Sequence, residues 1–301
     1  MHVTFRQLRL LIALADTGSI TAAARACHVT QPTVSMHLKE LADAVGLPLY
    51  EQVGRRLHLT EAGAAVVRSA KAMVDEWEAL GQQIAAMKGM SQGRLRVSVA
   101  STAKYFVPRM LGRFCQAHPS IDITLQVLNR DGVVARLREN QDDLYVLSQP
   151  PRDVPHRGEV LLENPLVVVA AAGHALAAQA SVRWQRLRSE PFILREPGSG
   201  TRLAVDAHFR TLGLDPRIRL ELGSNEAIKQ AVAAGMGLGV VSRHALAADP
   251  ASEGLALLKV SRFPVPSAWS VLWPEGKRLS PLAVEFVRHL REASAGWEAH
   301  T

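Results

Sequence analysis

The sequence predicts a helical N-terminal domain of the winged helix-turn-helix type, a long linker helix, and a C-terminal α/β region of two lobes. Residues 1–60 contain three helix-like segments and then two strand-like ones, and residues 61–90 carry one apolar repeat. After residue 93, strand-like and helix-like segments alternate. We place the domains at 1–60, 61–90 and 91–301, with lobe I at about 91–162 and 267–301 and lobe II at about 163–266.

Composition and charge limit the class of protein. Hydrophobic residues make up 48% of the chain and charged residues 21%, as in globular domains. The first residues lack a basic segment followed by an apolar run, so we expect a cytoplasmic protein with no membrane partner. The net charge is +7, but residues 1–90 contain nine Lys and Arg against eight Asp and Glu. Charge therefore does not by itself indicate a nucleic-acid interface there.

Three helices are predicted at the N-terminus. The first covers Phe5–Ala15, the second follows the N-cap Ser19, and the third covers Gln31–Val45 behind the N-cap Thr30. The apolar positions of the first and third helices recur at helical spacing, which predicts their buried faces. These positions are Leu8, Leu11, Ile12 and Ala15, and Val34, Leu38, Leu41 and Val45.

The outward face of the third helix carries polar side chains suited to base edges and phosphates in a major groove. A helical bundle with a purely structural role is the alternative. Residues 47–59 are predicted as a two-stranded wing whose turn would reach a phosphate or the minor groove, although such a turn can also be a solvated tip. The candidate residues are Gln31, Thr33, Ser35, Met36 and Lys39 on the helix, and Arg55 and Arg56 on the wing.

A long helix is predicted from Thr60 to about Lys88. Its apolar positions step alternately by four and by three, which is the seam of a coiled coil. We expect two such helices to pair in a dimer, and packing on the chain's own body is the alternative. The seam consists of Val66, Ala70, Met73, Trp77, Leu80, Ile84 and Met87.

The alternation after residue 93 predicts parallel sheets covered by helices, in two lobes with a cleft between them. The predicted strands are Leu95–Ala100, Ile121–Leu128, Asp143–Leu147, Pro165–Ala171, Phe192–Leu194, Ile218–Leu222, Gly239–Ser242 and Trp269–Trp273. Crossovers between the lobes are expected near Pro150–Pro151 and Pro264–Pro266. The glycine-rich segment Gly235–Gly239 follows a helix and precedes a strand, which is the reverse of a dinucleotide-binding loop. It is therefore predicted to end a helix and form a turn.

Signatures of common enzymes are missing from the sequence, including the Walker loop, the paired histidines of zinc proteases and the nucleophile elbow. Cys27 and Cys115 are predicted on buried helical faces as core residues, and two cysteines cannot form a four-ligand zinc site. We expect no enzyme, no cofactor and no metal.

Three helix starts are candidates for anion binding, because unpaired N–H groups and the helix dipole favour negative charge there. They are Ser101–Lys104, then Gly198–Arg202 preceded by Arg195, and Ser224–Asn225. Ordinary capping explains each one alone. Together, at the carboxyl ends of strands in a two-lobed fold, they predict a cleft for an anionic metabolite.

The first ninety residues resemble the DNA-binding and linker segment of LysR-type transcriptional regulators. The matching stretches are Phe5–Leu8, Gly18–Ala24, Thr30–Ser35, Val45–Leu49 and Leu59–Gly63. The resemblance continues toward the CbbR-like regulators of Calvin-cycle carbon-fixation operons, through Ala100–Pro108, Asn129–Arg130, Glu163–Val168, Arg195–Arg202, Ser224–Val232 and Leu279–Pro281.

This resemblance implies an activator with a C-terminal domain like the periplasmic binding proteins. It also implies a dimer, or dimer of dimers, that binds an interrupted palindrome in promoter DNA and contacts RNA polymerase. Gln31, Pro32, Ser35 and Met36 would face the major groove, with Ser19, Thr21, Thr30 and Lys39 in the same interface. The implied effectors are phosphorylated or nucleotide metabolites such as ribulose bisphosphate and NADPH.

The implied effector cleft contains Ser101, Thr102, Lys104, Asn129, Gln149, Arg195, Ser199, Gly200, Thr201, Arg202, Ser224 and Asn225. Gln149 departs from the family pattern, which has an arginine before the prolines. Because arginine binds phosphate in a bidentate manner and glutamine cannot, this departure weakens the case for a bisphosphate. An aromatic acid or a nitrogen signal is an alternative effector, and a small-molecule-binding or catalytic α/β module without a DNA role is an alternative function.

Overall fold

The computed structural model describes residues 2–53, 56–87 and 93–297. The chain forms two compact units, one of Met1–Met90 with Glu139–Gln141 and one of Ser91–Arg138 with Asp142–Thr301. Among the helices in the described ranges, none is long and apolar enough to cross a membrane.

The first unit is a trihelical head with a two-stranded wing and a long fourth helix. Its helices are α1 (Phe5–Thr17), α2 (Ile20–Ala26), α3 (Gln31–Val45) and α4 (Glu61–Met87), and its strands are β1 (Tyr50–Val53) and β2 (Arg56–Leu59). The strands pair antiparallel, as predicted for a wing. Thr4 and Gln7 form a capping box before α1, and Gly18 ends that helix at a φ of 64°.

The core of the head confirms the buried face of α3 and corrects that of α1. Val34, Leu38 and Leu41 are buried, whereas Val45 at the end of the helix is only half-buried against the same core. In α1, Leu10 and Leu14 are buried as well as Leu8 and Leu11, whereas Ile12 and Ala15 are only half-buried. The buried face is therefore wider than the predicted stripe, because α1 packs on α2, α3 and α4 together.

The predicted seam of α4 divides into two parts. Val66 packs against the core of the head and Ala70 is buried in it, so the start of the seam serves the chain's own body. Further along, Met73, Trp77, Leu80 and Ile84 are exposed, with exposures of 44–58%. The side chain of Met87 lies outside the described residues.

The second unit contains two five-stranded sheets, in the orders β4-β3-β5-β12-β6 and β11-β7-β10-β8-β9. We call the first sheet with its helices the first lobe, and the second the second lobe. The strands are β3 (Gly93–Ala100), β4 (Ile121–Leu128), β5 (Leu144–Ser148), β6 (His156–Glu163), β7 (Leu166–Ala171), β8 (Pro191–Arg195), β9 (Arg217–Leu222), β10 (Leu238–Ser242), β11 (Leu255–Leu258) and β12 (Ala268–Pro274). The helices are α5 (Val107–Ala117), α6 (Arg130–Arg138), α7 (Gly200–Leu212), α8 (Asn225–Ala233) and α9 (Pro281–Ala295).

The sheets are mixed, so the prediction of purely parallel sheets was wrong. β3 pairs parallel with β4 and β5, and β8 with β9 and β10, but β12 and β7 pair antiparallel with both of their neighbours. The prediction missed β6 and β11. Because β6 belongs to the first sheet, the first crossover lies at Asn164–Pro165, after β6, and not at Pro150–Pro151. The second lies before β12, near Pro266 as predicted.

Three further details differ from or agree with the sequence prediction. Ser101–Tyr105 is a short 3-10 helix without a side-chain cap, so it is not the α-helix start that we expected. Cys115 is exposed and not in the core, whereas Cys27 is half-buried at the end of α2. The glycine-rich segment ends α8, with Gly235 at a φ of 75°, and leads into β10.

Candidate functional site

The turn between α2 and α3 sets up the candidate DNA interface. Arg25 and Ala24 accept backbone hydrogen bonds from His28 and Val29, at 3.2 and 3.0 Å between nitrogen and oxygen. His28 has a φ of 54°, a left-handed conformation that non-glycine residues seldom adopt. The side chain of Thr30 then accepts a hydrogen bond from the backbone N–H of Thr33, which starts α3.

The structure places the predicted residues of α3 on one outward face. Gln31, Pro32, Met36 and Lys39 are exposed, and Met36 is 51% exposed. The half-buried residues Thr33 and Ser35 lie beside them. Exposed Gln, Met and Lys side chains on one helix face present hydrogen-bond donors, acceptors and apolar surface, which are the groups that read base edges.

Residues of α2 support this face. The Thr21 hydroxyl donates a hydrogen bond to the side-chain oxygen of Gln31, with 3.3 Å between the oxygens. This contact orients the Gln31 amide, because the oxygen then lies toward α2 and the NH2 group points elsewhere. Ser19 caps α2, accepting from the Ala22 N–H at 3.5 Å, so its hydroxyl is already partly used.

Of the predicted wing residues, Arg55 lies outside the described residues. Arg56 pairs with Val53 in the strand ladder, and its side chain is likewise outside the description. Their contact with DNA stays a prediction.

The cleft predicted for an effector is built around a buried arginine. Arg195, at the end of β8, has a side chain that is 1% exposed. Its guanidinium donates to both carboxylate oxygens of Glu196, at 2.7 and 2.9 Å. It also reaches the hydroxyls of Ser101 at 3.1 Å and Thr102 at 3.3 Å, in the other lobe. This guanidinium therefore bridges the two lobes.

A second bridge runs from α8 to the same threonine. Asn225, which is 2% exposed, donates through its amide nitrogen to the Thr102 hydroxyl at 3.0 Å. The amide oxygen of Asn225 has no hydrogen-bond partner among the described residues. Ser224 caps α8 by accepting from the Ala227 N–H at 3.1 Å. The cleft thus contains a buried acceptor that a ligand or a water molecule can satisfy.

The start of α7 faces the first lobe closely. A Cβ added to Gly200 would lie 2.7 Å from the Ser148 hydroxyl oxygen, so any larger residue there would require Ser148 to move. The backbone N–H of Asp131 donates to the Gly198 carbonyl at 3.1 Å. Ser199 and Thr201 are buried, and the Ser199 side chain makes no capping hydrogen bond. The N–H groups of α7 therefore open onto the interlobe contact.

Gln149 and Asn129 lie on the first-lobe side of this contact. Gln149 has a φ of 57°, and its carbonyl accepts from the Arg130 guanidinium at 2.7 Å. Asn129 caps α6, because its side-chain oxygen accepts from the Gly132 N–H at 2.9 Å. Arg130 also pairs with Asp131 at 2.9 Å. An arginine thus does lie beside the position where the family pattern predicts one, but it comes from α6.

Arg202 is engaged within the second lobe. It pairs with Asp206 at 2.9 Å and with Glu221 at 2.6 Å, and it donates to the Arg195 carbonyl at 2.8 Å. Burial lowers the pKa of Arg202, but hydrogen bonds to the two carboxylates outweigh burial and raise it overall. Arg202 therefore positions the backbone of Arg195.

Lys104 forms a further contact between the lobes. Its ammonium lies 2.8 Å from a Glu226 carboxylate oxygen, and the Tyr105 hydroxyl donates to the other oxygen. Burial raises the pKa of Glu226, but the hydrogen bonds from Lys104 and Tyr105 outweigh it and leave that pKa below its usual value. Burial and the same carboxylate raise the pKa of Tyr105.

Sequence reasoning missed several residues of this cleft. They are Tyr105, Arg130, Asp131, Ser148, Glu196 and Glu226. All of them except Asp131 could have been found, because each is adjacent to a residue of the predicted set. Asp131 is assigned only once the lobes are brought together.

Comparisons with known proteins agree with both parts of this architecture. The family model for the bacterial regulatory helix-turn-helix protein of the lysR family matches residues 5–64. The model for the LysR substrate binding domain matches residues 88–295.

Similar proteins of named function cover nearly the whole chain. A RuBisCO operon transcriptional regulator of Acidithiobacillus ferrooxidans is 44% identical over 297 residues, covering 99% of this chain and 96% of that protein. The HTH-type transcriptional activator CmpR of Synechocystis is 43% identical over 289 residues, covering 96% and 95%.

Solved structures extend the comparison. The regulatory domain of Synechocystis CcmR in complex with 2-PG is 45% identical, with a TM-score of 0.66 over 68% of this chain and 99% of that one. A full-length OxyR variant from Pseudomonas aeruginosa shares the fold, with a TM-score of 0.79 at 22% identity over 99% and 97%. Fold and site together define a DNA-binding transcriptional regulator with an effector domain. The chain belongs to the LysR family.

Proposed function

We propose that this regulator controls a carbon-fixation operon and responds to a small phosphorylated metabolite. The observation that carries the proposal is the interlobe cleft, where a helix N-terminus and buried hydroxyls meet. Helix N-termini and hydroxyls are suited to a phosphate. Support for the operon comes from the RuBisCO operon regulators, to which this chain is similar along its length.

We further propose 2-phosphoglycolate as an effector, because the related CcmR regulatory domain was solved with 2-PG bound. Ribulose bisphosphate and NADPH are the other candidates. Calorimetric titration of the full chain with each of these compounds tests this choice. We expect 2-phosphoglycolate to bind and Asn225→Asp to weaken it at least tenfold, since a second anion would face the phosphate. An organic acid that binds more tightly than all three would favour regulation of another pathway.

The first ninety residues are proposed to act on promoter DNA as a dimer. Residues 1–60 would form the DNA-binding domain and residues 61–90 the dimer linker, whose exposed side chains Met73, Trp77, Leu80 and Ile84 are available for a second chain. Residues 91–301 would form the effector domain. Two such dimers would bind an interrupted palindrome in the cytoplasm and contact RNA polymerase. We propose action by binding, without catalysis.

Gln31→Ala tests the recognition helix in a mobility-shift assay on the promoter of a RuBisCO operon. Losing one bidentate base contact should reduce discrimination against unrelated DNA by about 1 to 3 kcal/mol. Gln179→Ala, which removes an exposed glutamine of the second lobe, serves as the matched control and should bind nearly as well as the wild type. Unchanged discrimination in Gln31→Ala would contradict the assignment of α3.

A further inference from the structure

A cavity lies between the two lobes beside the predicted cleft, and Tyr105 borders both. Its volume is about 330 Å³, which suits a small metabolite. The first lobe contributes Tyr105, Arg109 and Trp297, and the second contributes Lys229, Glu253 and the segment 243–248. None of the residues predicted for the effector cleft lines it. We call it the basic cavity.

The basic cavity collects three cations from three elements. The Arg109 guanidinium lies 5.8 Å from the centre of the Trp297 ring and is exposed. Arg243 donates to the Ala247 carbonyl at 3.4 Å. Within the described residues, neither arginine pairs with a carboxylate. Lys229 is the exception, because its ammonium lies 2.6 Å from Glu253.

His244 adds no charge to the basic cavity, because its ring is neutral. Its Nε2 lies 2.8 Å from the Glu163 carbonyl, which can only accept, and its Nδ1 lies 3.4 Å from the Trp297 indole nitrogen, which can only donate. Both bonds are made by the neutral ring with its proton on Nε2. Burial also lowers the pKa of His244. Three cations and Glu253 leave the cavity with a net charge of two positive.

Two uncompensated guanidiniums facing one small cavity favour a ligand with two negative charges. Guanidiniums bind phosphate and carboxylate oxygens in paired hydrogen bonds. The aromatic rings of Tyr105 and Trp297 and the alanines of segment 245–248 provide an apolar wall for the rest of a small molecule. Because both lobes line the cavity, a ligand there would contact both of them.

We propose that the basic cavity is a second binding site, for a small dianionic metabolite that carries a phosphoryl group or two carboxylates. The site lies beside the effector cleft, and apart from Tyr105 its lining residues differ from those described for the cleft.

The test is calorimetric titration of the full chain with inorganic pyrophosphate and, separately, with succinate, which distinguishes the two ligand chemistries. We expect at least one of these anions to bind, and Arg109→Gln and Arg243→Gln each to weaken that binding tenfold or more. Arg217→Gln removes a charge from an exposed strand position of the second lobe and should have no effect. Trp297 fluorescence provides a second readout, since the response to the anion should disappear in Trp297→Phe.

Two cross-checks distinguish binding in the basic cavity from binding in the cleft. One uses the cleft variant Thr102→Val, and the other uses 2-phosphoglycolate as the ligand of the cleft. We expect Thr102→Val to leave binding of the small anion within threefold of the wild type, and Arg243→Gln to leave 2-phosphoglycolate binding within threefold. If neither anion binds, or if both arginine variants bind as the wild type does, the basic cavity is not an anion site. Loss of anion binding in Thr102→Val alone would assign that binding to the cleft and would also overturn the proposal.

Discussion

Replacing Arg195 by methionine should destabilise the second unit strongly, because this guanidinium joins the two lobes. The substitution removes the paired hydrogen bonds to Glu196 at 2.7 and 2.9 Å and the contacts with the Ser101 and Thr102 hydroxyls. Methionine fills much of the same volume, so a cavity adds little to the loss. The dominant cost is the carboxylate of Glu196, which loses its partner.

The size of the effect follows from the burial of the pair. Removing one partner of a fully buried ion pair costs about 3 to 5 kcal/mol. The Glu196 side chain is 24% exposed and can rehydrate in part, so we expect a loss of about 2 to 4 kcal/mol. At a urea slope of at most about 3 kcal/mol per M, the unfolding midpoint would fall by roughly 1 M.

Urea unfolding of the full chain, followed by tryptophan fluorescence, measures this loss, since four of the five tryptophans lie in the second unit. Arg195→Met with Glu196→Gln provides the matched control. If an unpaired carboxylate is the main cost, the double variant should be more stable than Arg195→Met alone. A loss below about 0.5 kcal/mol, the range of ordinary surface changes, or a double variant less stable than the single one, would refute the reasoning.

Three further predictions concern other positions. Gly63→Ala should destabilise the head by about 1 to 3 kcal/mol and reduce DNA binding, because the new Cβ would lie 1.8 Å from the Leu49 carbonyl oxygen. Gly81→Ala lies in the same helix, where the new Cβ would meet nothing within 4 Å, and it should stabilise the helix by about 1 kcal/mol. Urea unfolding compares the stability of the two variants. Glu226→Gln should cost about 0.2 to 1 kcal/mol at pH 7. A carboxyl whose pKa is lowered on folding contributes stability that is fully present above the unfolded value of 4.5 and is lost as pH falls through the lower folded value. The difference from wild type should therefore start to shrink near pH 4.5 and disappear at more acidic pH, and a difference that does not shrink on acidification would contradict it. Gln149→Arg should tighten ribulose bisphosphate binding about tenfold in calorimetry, since the cleft gains a guanidinium, and unchanged affinity would contradict the placement of that residue.

The sequence predicted the head closely because its signals are local. Capping residues and apolar spacing lie within one helix each, and α3 begins and ends where they indicated, at Gln31 and Val45. The missed strands have weaker signals. β6 is an edge strand that is mostly exposed, and β11 is an edge strand of four residues. Neither shows a sustained alternation of apolar and polar positions, on which strand prediction depends.

The candidate cleft was predicted in its location but not in its charge. The segments Ser101–Lys104, Arg195–Arg202 and Ser224–Asn225 do meet, as their place after strands suggested. Which cations are neutralised depends on partners distant in sequence, such as Glu226, which is 122 residues from Lys104. Sequence spacing carries no information on such pairs, because they arise only when the lobes pack.

Charge compensation distinguishes the cleft from the basic cavity. Each described cation of the cleft already faces a carboxylate, in the pairs Arg195 with Glu196, Arg202 with Asp206 and Glu221, Lys104 with Glu226, and Arg130 with Asp131. An entering phosphate therefore meets a carboxylate beside every guanidinium or ammonium, and repulsion offsets much of the attraction. Its affinity must come mainly from N–H groups and hydroxyls at the start of α7, which serve one phosphate well. A bisphosphate needs a cationic partner at each end, so this cleft favours a compact effector with a single phosphate.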